Sequence, residues 1–233
     1  EDHLKAYPLE TAIKEVYKEA KIVNLNKITE GQACTCEIGL ENEDSEKPLL
    51  IAACDNGMLW DQEKYKELLD DNNVDAIIWS FRNHPSSDRN PEMYGWLKTD
   101  QDDNVLGVSV KKAISNTPRK DHAIVGTFYF KKTAYFLESL NRLYKKNERV
   151  NGEFYVDSCV QELIEMGLKV KVFEIDKYIC WGTPNDYKTY TYWQSFFHKV
   201  NWHPYSLEKD ITMNIEASED LSISYNKFNQ EWN

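Results

Sequence analysis

Apolar positions along this chain switch between a helical and a strand period. Leu9, Ile13, Val16 and Tyr17 recur at helical spacing among acids and lysines, so residues 1–20 predict an amphipathic surface helix. Residues 21–25 then predict a short strand. From Leu49 the run Leu-Leu-Ile-Ala-Ala-Cys is continuously apolar and stops at Asp55-Asn56-Gly57. That pattern predicts a buried strand with a carboxylate at its end, followed by a turn. Residues 61–69 predict a helix and Ala76–Phe81 a second buried strand. Residues 94–97 and Val105–Val110 predict two strands joined by an acidic turn over 99–104. Residues 123–130, which include Gly126, form another apolar strand. A helix over 135–144, a helix opened by 152–157 and running to 167, and an alternating strand over 169–175 follow. Thr183 before Pro184 starts a last, aromatic helix that ends near His198.

Strands alternating with helices predict an α/β fold, with one main domain over 1–199 and a carboxyl-terminal arm over 200–233. In that arm Trp202, Tyr205, Ile211, Met213, Ile215 and Ile223 are the packing residues, against the main domain or another subunit in a homo-oligomer. The 233 residues are 41% hydrophobic, enough for a substantial core. Twenty-eight basic against 39 acidic residues give a net charge of -11, which opposes nonspecific attraction to nucleic acid and to anionic membrane. A phosphate-bearing ligand therefore needs a local basic patch. No apolar stretch approaches the length of a membrane span, and the start shows no basic-then-apolar signal pattern; the expectation is a soluble, cytoplasmic protein. The cysteines 34, 36, 54, 159 and 180 are odd in number and lack CxxC pairs, which argues against disulfides and structural zinc.

Candidate chemistry gathers at four places. Ligands in open α/β sheets sit outside the carboxyl ends of strands, so Asp55 is placed to hold a metal bound to phosphate, or else it caps a turn. In Thr29-Glu30-Gly31-Gln32-Ala33 a glycine turn either lets a ligand approach backbone amides or is a loop into a helix with a Thr cap. Lys111 and Lys112 supply local positive charge, as phosphate partners or as surface lysines. The polar loop 84–91 suits binding residues. Asp100, Asp102 and Asp103 belong to a solvated turn, and the acids at 153 and 157 suit a helix dipole without any function.

Several short motifs resemble, in order and spacing, those of the sugar-phosphate nucleotidyltransferases, particularly the branch that includes phosphocholine-type cytidylyltransferases. They are Thr29-Glu30-Gly31-Gln32-Ala33, Ala53-Cys54-Asp55-Asn56, Tyr94-Gly95-Trp96, Lys111-Lys112, Gly126-Thr127-Phe128-Tyr129-Phe130, Gly152-Glu153 and Trp181-Gly182-Thr183-Pro184. The resemblance implies a three-layer α/β/α sandwich of glycosyltransferase A-like type with a mostly parallel mixed sheet. It implies Mg²⁺ on Asp55, nucleotide binding by Thr29, Glu30, Gly31, Gln32, Ala33 and Asp55, catalysis by Asp55 and Lys112, and substrate binding by Lys112, Gly126, Glu153 and Trp181. The implied reaction moves a nucleoside monophosphate, CMP in this branch, from a nucleoside triphosphate to a phosphorylated sugar or amino alcohol, for surface polysaccharide. The family's glycine-rich triphosphate loop does not precede Glu1, Lys111 replaces an acid, and Cys180 stands where relatives carry a second metal-binding Asp. Two alternatives follow: a non-catalytic nucleotide- or sugar-binding regulatory domain, and a glycosyltransferase of the same architecture, which the single acid at Asp55 disfavours.

Overall fold

A computed structural model describes residues 6–200 and Trp202. In chain order the strands are β1 (Leu49–Ala52), β2 (Asn56–Leu59), β3 (Ala76–Phe81), β4 (Gly95–Thr99), β5 (Val105–Val110), β6 (His122–Phe130), β7 (Val170–Glu174) and β8 (Lys177–Cys180). The helices are α1 (Leu9–Val16), α2 (Gln32–Gly39), α3 (Gln62–Asp70), α4 (Ser86–Arg89), α5 (Thr133–Lys146), α6 (Val156–Glu165) and α7 (Pro184–Lys199).

Strands β3 and β6 are apolar on both faces, and this makes them the centre of the sheet. Ala76 and Ile78 of β3 join Ile124, Phe128 and Phe130 of β6 in one core, while Ile77, Trp79 and Phe81 join Ala123 and Val125 in the other. Helices α5, α6 and α2 cover the first face with Phe136, Leu140, Val160, Leu163 and Ala33. Helix α3 covers the second with Tyr65 and Leu68, which completes three layers. Along one edge β6 pairs with β3; along the other it pairs with β4 through Trp96 and Leu97 and with β1 through residues 49–52. Strands β1 and β4 thus lie end to end, and residues 124–126 of β6 are left between them. That gap is the floor of the site described below. Strand β5 extends the sheet beyond β4, β7 lies outside β3, and β2 with β8 forms a separate two-stranded ribbon.

The expected mixed α/β sheet is present, with a smaller parallel share than expected. Among the described residues only β3 and β7 run parallel, because β6 runs against all three of its neighbours. Residues 21–25 form no strand, for they find no sheet edge to pair with. Strand β1 is half-exposed rather than buried, with Leu50 54% accessible, since among the described residues it pairs with β6 alone. The turn expected at Asn56 and Gly57 is instead the start of β2, held by the Asn56↔Cys180 and Gly57↔Ile179 pairs. The polar loop folds into α4 and a 3₁₀ turn over Pro91–Met93. Helix α6 begins at Val156, not at Gly152, because Asn151 and Gly152 both take positive φ in a tight turn. Thr183 caps α7 as expected, its hydroxyl accepting from the Asp186 N–H at 3.2 Å. Of the proposed arm, only Val200 and Trp202 fall within the described residues. No helix among these residues is long and apolar enough to cross a membrane.

Candidate active site

A cleft of about 380 Å³ opens over the gap between β1 and β4. Its near wall is the joint between β1 and β2, where Asp55 stands. Ala53 donates to the Gly126 carbonyl at 2.9 Å, the Trp181 N–H donates to the Asp55 carbonyl at 2.9 Å, and Asn56 Nδ2 donates to the Val125 carbonyl at 2.9 Å. These three bonds tie the Asp55 peptide to β6 and β8, so its carboxylate is presented by fixed backbone. Gly182 lies beside it: a Cβ there would be 3.5 Å from Asp55 Oδ2.

The far wall holds Lys111 and Asp157. Lys111 follows the last residue of β5 with φ +58, a conformation uncommon for a lysine, and its N–H donates to the Tyr94 carbonyl at 3.1 Å. This turn sends the side chain inward, where Nζ donates to the Met93 carbonyl at 2.6 Å and lies 5.4 Å from the Tyr155 ring centre. Asp157, in the first turn of α6, rests its carboxylate against the bare Cα of Gly95; a Cβ there would be 2.9 Å from Ile124 Cδ1 and 3.0 Å from Asp157 Cγ. Burial pushes the Asp157 carboxyl up to about 6, with the Lys111 charge pulling the other way. Among the described residues no donor other than its own backbone N–H reaches that carboxylate.

Aromatic rings close the third side. Tyr178 stacks on Phe81 with ring centres 4.0 Å apart, and Tyr94 donates to Ser86 Oγ at 2.7 Å, which in turn meets His84 Nδ1 at 2.6 Å. Burial raises the Tyr94 hydroxyl to about 12, and burial with the neighbouring Tyr94 raises Tyr178. Burial, then Arg89 and Arg119, lowers His84. Cys180 also lines the cleft; its thiol donates to Asp186 at 3.5 Å, and burial raises its pKa. Asp186 is otherwise occupied, accepting from Thr183 Oγ1 at 2.7 Å at the start of α7.

A nucleoside-diphosphate-sugar pyrophosphorylase from Vibrio cholerae RC9 superposes with a TM-score of 0.60 at 19% identity, over 79% of this chain and 76% of that one. An inositol-1-phosphate CTP transferase from T. maritima gives 0.56 at 12% identity, over 92% and 71%. A Bacillus anthracis protein described as a glucose-1-phosphate thymidylyltransferase, solved with sucrose, gives 0.52 at 14%, over 76% and 65%. This chain shares their fold. It is an α/β/α sandwich of glycosyltransferase A-like type. No protein-family model matches the sequence, and no curated protein is similar to it in sequence.

The residues expected from sequence divide between this cleft and other places. Asp55, Gly126 and Gln32 line the cleft together. Lys112 does not: it is exposed, and its carbonyl accepts from Ser109 Oγ at 2.7 Å, because the left-handed turn at Lys111 directs that neighbour inward instead. Thr29 and Glu30 line a separate hollow of about 450 Å³ with Cys34, Tyr144 and Arg149. Thr29 donates to the Gly31 carbonyl at 2.9 Å and Glu30 pairs with Arg149. Gly31 is bare for the sake of the chain itself. A Cβ there would lie 2.6 Å from Phe154 N, while Ala33 donates to the Phe154 carbonyl at 3.0 Å and Phe154 donates to Glu30 at 2.9 Å. Ala33 is fully buried in the core. Glu153 is exposed in the tight turn before α6, and Trp181 packs over Gly57 and tilts onto Tyr190 at 5.1 Å, its Nε1 unpartnered among the described residues. Lys111, named from sequence with Lys112 as the local positive charge, takes the inward place that the resemblance implied for Lys112, and Asp157, read from sequence only as an acid suited to a helix dipole, also lines the cleft.

For a hard cation the cleft offers the Asp55 carboxylate, with Asn56 Oδ1 next to it buried without a partner; the second cleft carboxylate, Asp157, lies on the other wall beside Lys111. Among the described residues no three His, Cys, Asp or Glu side chains converge. One carboxylate fits Mg²⁺, which keeps waters and takes its remaining ligands from substrate phosphates, and does not fit an all-protein cage.

Proposed function

We propose that this chain is the catalytic domain of a nucleotidyltransferase. It moves a nucleoside monophosphate from a nucleoside triphosphate to the phosphate of a small acceptor and releases pyrophosphate. The observation that carries this is the opposition of Asp55 and Lys111 across a cleft floored by β6, in a fold shared with enzymes of that class. CMP as the group transferred rests on the resemblance and on the CTP transferase among the similar structures. A role in surface-polysaccharide precursors rests on the resemblance alone.

An acceptor phosphate oxygen attacks the α-phosphorus; the new P–O bond forms as the bond to the bridging oxygen of the β-phosphate breaks, and pyrophosphate leaves. No protein nucleophile is required, so the residues act by positioning and by countering charge. Lys111 Nζ, a point charge on a mobile stem, exchanges the Met93 carbonyl for a phosphate oxygen. Asp55 would hold Mg²⁺, which when bound would counter the charge of the phosphate oxygens. The backbone of Gly126 forms the surface on which the acceptor lies.

The test is pyrophosphate release by the full-length product of the reading frame with Mg²⁺, each nucleoside triphosphate in turn, and a panel of phosphorylated sugars and amino alcohols. Release that requires one triphosphate and falls at least ~100-fold in Asp55→Ala is expected. Absence of release with every pair overturns the proposal.

A further inference from the structure

Asp157 is a half-buried carboxylate of the cleft whose surroundings do not explain its place. Among the described residues its only nearby cation is Lys111, which is engaged with the Met93 carbonyl, and apart from its own N–H no side chain or backbone N–H of these residues donates to its oxygens. A carboxylate lining a cleft with no further protein donor is left to water or to a ligand that donates to it, and a ligand that displaces the water without donating loses affinity. The fold nevertheless makes room for it: Gly95 lacks a Cβ where the carboxylate rests, and any side chain there would push it off the cleft floor. An acid also repels phosphate, so Asp157 does not face the phosphate end of a substrate; Lys111 does.

We infer that Asp157 determines acceptor specificity by accepting a hydrogen bond from a hydroxyl or ammonium group on the non-phosphate part of the acceptor. This rests on the nucleotidyltransferase reading for the word acceptor, and it narrows the acceptor to a phosphorylated polyol or a primary amino alcohol. A quaternary ammonium group is disfavoured. It has no hydrogen to donate, and it calls for open aromatic faces, whereas Phe81 covers a face of Tyr178 and Lys111 lies over Tyr155. The hydroxyl of Tyr94 is turned to Ser86 and does not compete for the ligand.

The experiment is calorimetric titration of the full-length protein and of Asp157→Asn with glucose 1-phosphate, phosphoethanolamine, phosphocholine and n-propyl phosphate. Inorganic phosphate and a thermal unfolding scan report on the integrity of the variant. Asn keeps the size of the side chain and removes the charge. At least one of the two donor-bearing probes is expected to bind wild-type protein 10-fold or more tighter than propyl phosphate and phosphocholine. That advantage is expected to vanish in Asp157→Asn while inorganic phosphate binds both proteins alike. Whether glucose 1-phosphate or phosphoethanolamine holds the advantage tells a polyol from an amine. Equal binding of the donor-bearing probes by both proteins, binding of phosphocholine or propyl phosphate by wild-type protein as tight as that of both donor-bearing probes, or no binding of any probe by wild-type protein overturns the inference. Binding that depends on Asp157 without pyrophosphate release would overturn the transferase reading and leave this inference standing.

Discussion

Two adjacent lysines, one pointing into a cleft and one out of it, show how much a single backbone angle decides. At φ +58 Lys111 leaves the strand alternation that would have sent Lys112 inward. Nothing in the run Val-Ser-Val-Lys-Lys marks that turn, since neither Gly nor Asn occupies it. If Lys111 meets phosphate, Lys111→Ala lowers kcat/KM by about 100- to 1000-fold, the cost of removing one charged donor from a developing charge, while Lys112→Ala stays within about twofold. Steady-state kinetics of the two variants side by side check this; a loss confined to Lys112→Ala would return the role to Lys112, and an equal loss in both would mean that the two lysines share it. Asp157 makes a separate prediction about stability. Its folded-state pKa of about 6 lies above the unfolded carboxylate value, so the folded protein binds the extra proton between those two values. Stability attributable to this group is therefore complete below about pH 4 and is lost as pH rises through about 6. A shift of that size corresponds to at most ~3 kcal/mol, reduced because the carboxylate opens onto the cleft and Lys111 is near. Asp157→Asn should thus unfold at higher urea than wild type at pH 7.5, by about 1–2 kcal/mol, and at the same urea at pH 4. An Asn variant that is less stable at pH 7.5 would mean that Lys111 compensates the half-buried charge fully.

At the scale of elements, the contact between α2 and the turn before α6 is what separates the expected nucleotide loop from the cleft. Gly31, at φ +134, caps α2 with no side-chain hydrogen bond, and the backbone of Phe154 fills the space a Cβ would take. Gly31→Ala meets both a strained backbone angle and a clash with main chain, which cannot swing aside as a side chain can. A loss of ~3 kcal/mol or more in unfolding free energy is expected, with hydrogen exchange quickening at Ala33 and Phe154, whose amides make the paired bonds. Exchange that stays unchanged at these amides would show that the pairing does not depend on glycine. A glycine before a helix is legible in sequence as a place of close approach, but what approaches it lies more than a hundred residues away, and local pattern carries no such information. Strands β3, β5 and β6 were legible to within a residue because each has a two-residue period or two-sided apolar burial. The joint at Asp55 misled for the opposite reason. Asp-Asn-Gly is sound turn chemistry, yet four residues from Asn56 pair with β8, and ladder hydrogen bonds outweigh a local preference.

Over the whole molecule the charge is unfavourable to the ligand proposed. A net charge of -11 surrounds a cleft whose proposed phosphate partner is one lysine, so a triphosphate approaches against the long-range field and is attracted only near contact. The class of fold was legible from the alternation of strands and helices, and the overall charge from composition. The positive charge at Lys111 and Lys112 was legible too, but its place on the same cleft as Asp55 was not, because Lys111 is held there by β4 and β6, whose pairing is a property of the assembled sheet. The two length scales separate experimentally. The Debye length falls from about 30 Å at 10 mM salt to about 8 Å at 150 mM, which screens the distant acids far more than a lysine at contact distance. For an enzyme limited by capture of the triphosphate, kcat/KM should therefore rise with salt, by about two- to threefold between those concentrations, at constant free Mg²⁺. The same titration on Lys111→Ala should show a rise of similar size from a lower base, since the long-range field is unchanged by one residue. A fall in kcat/KM with salt in the wild type, abolished in Lys111→Ala, would mean instead that the local field of the cleft extends far enough to steer the triphosphate in.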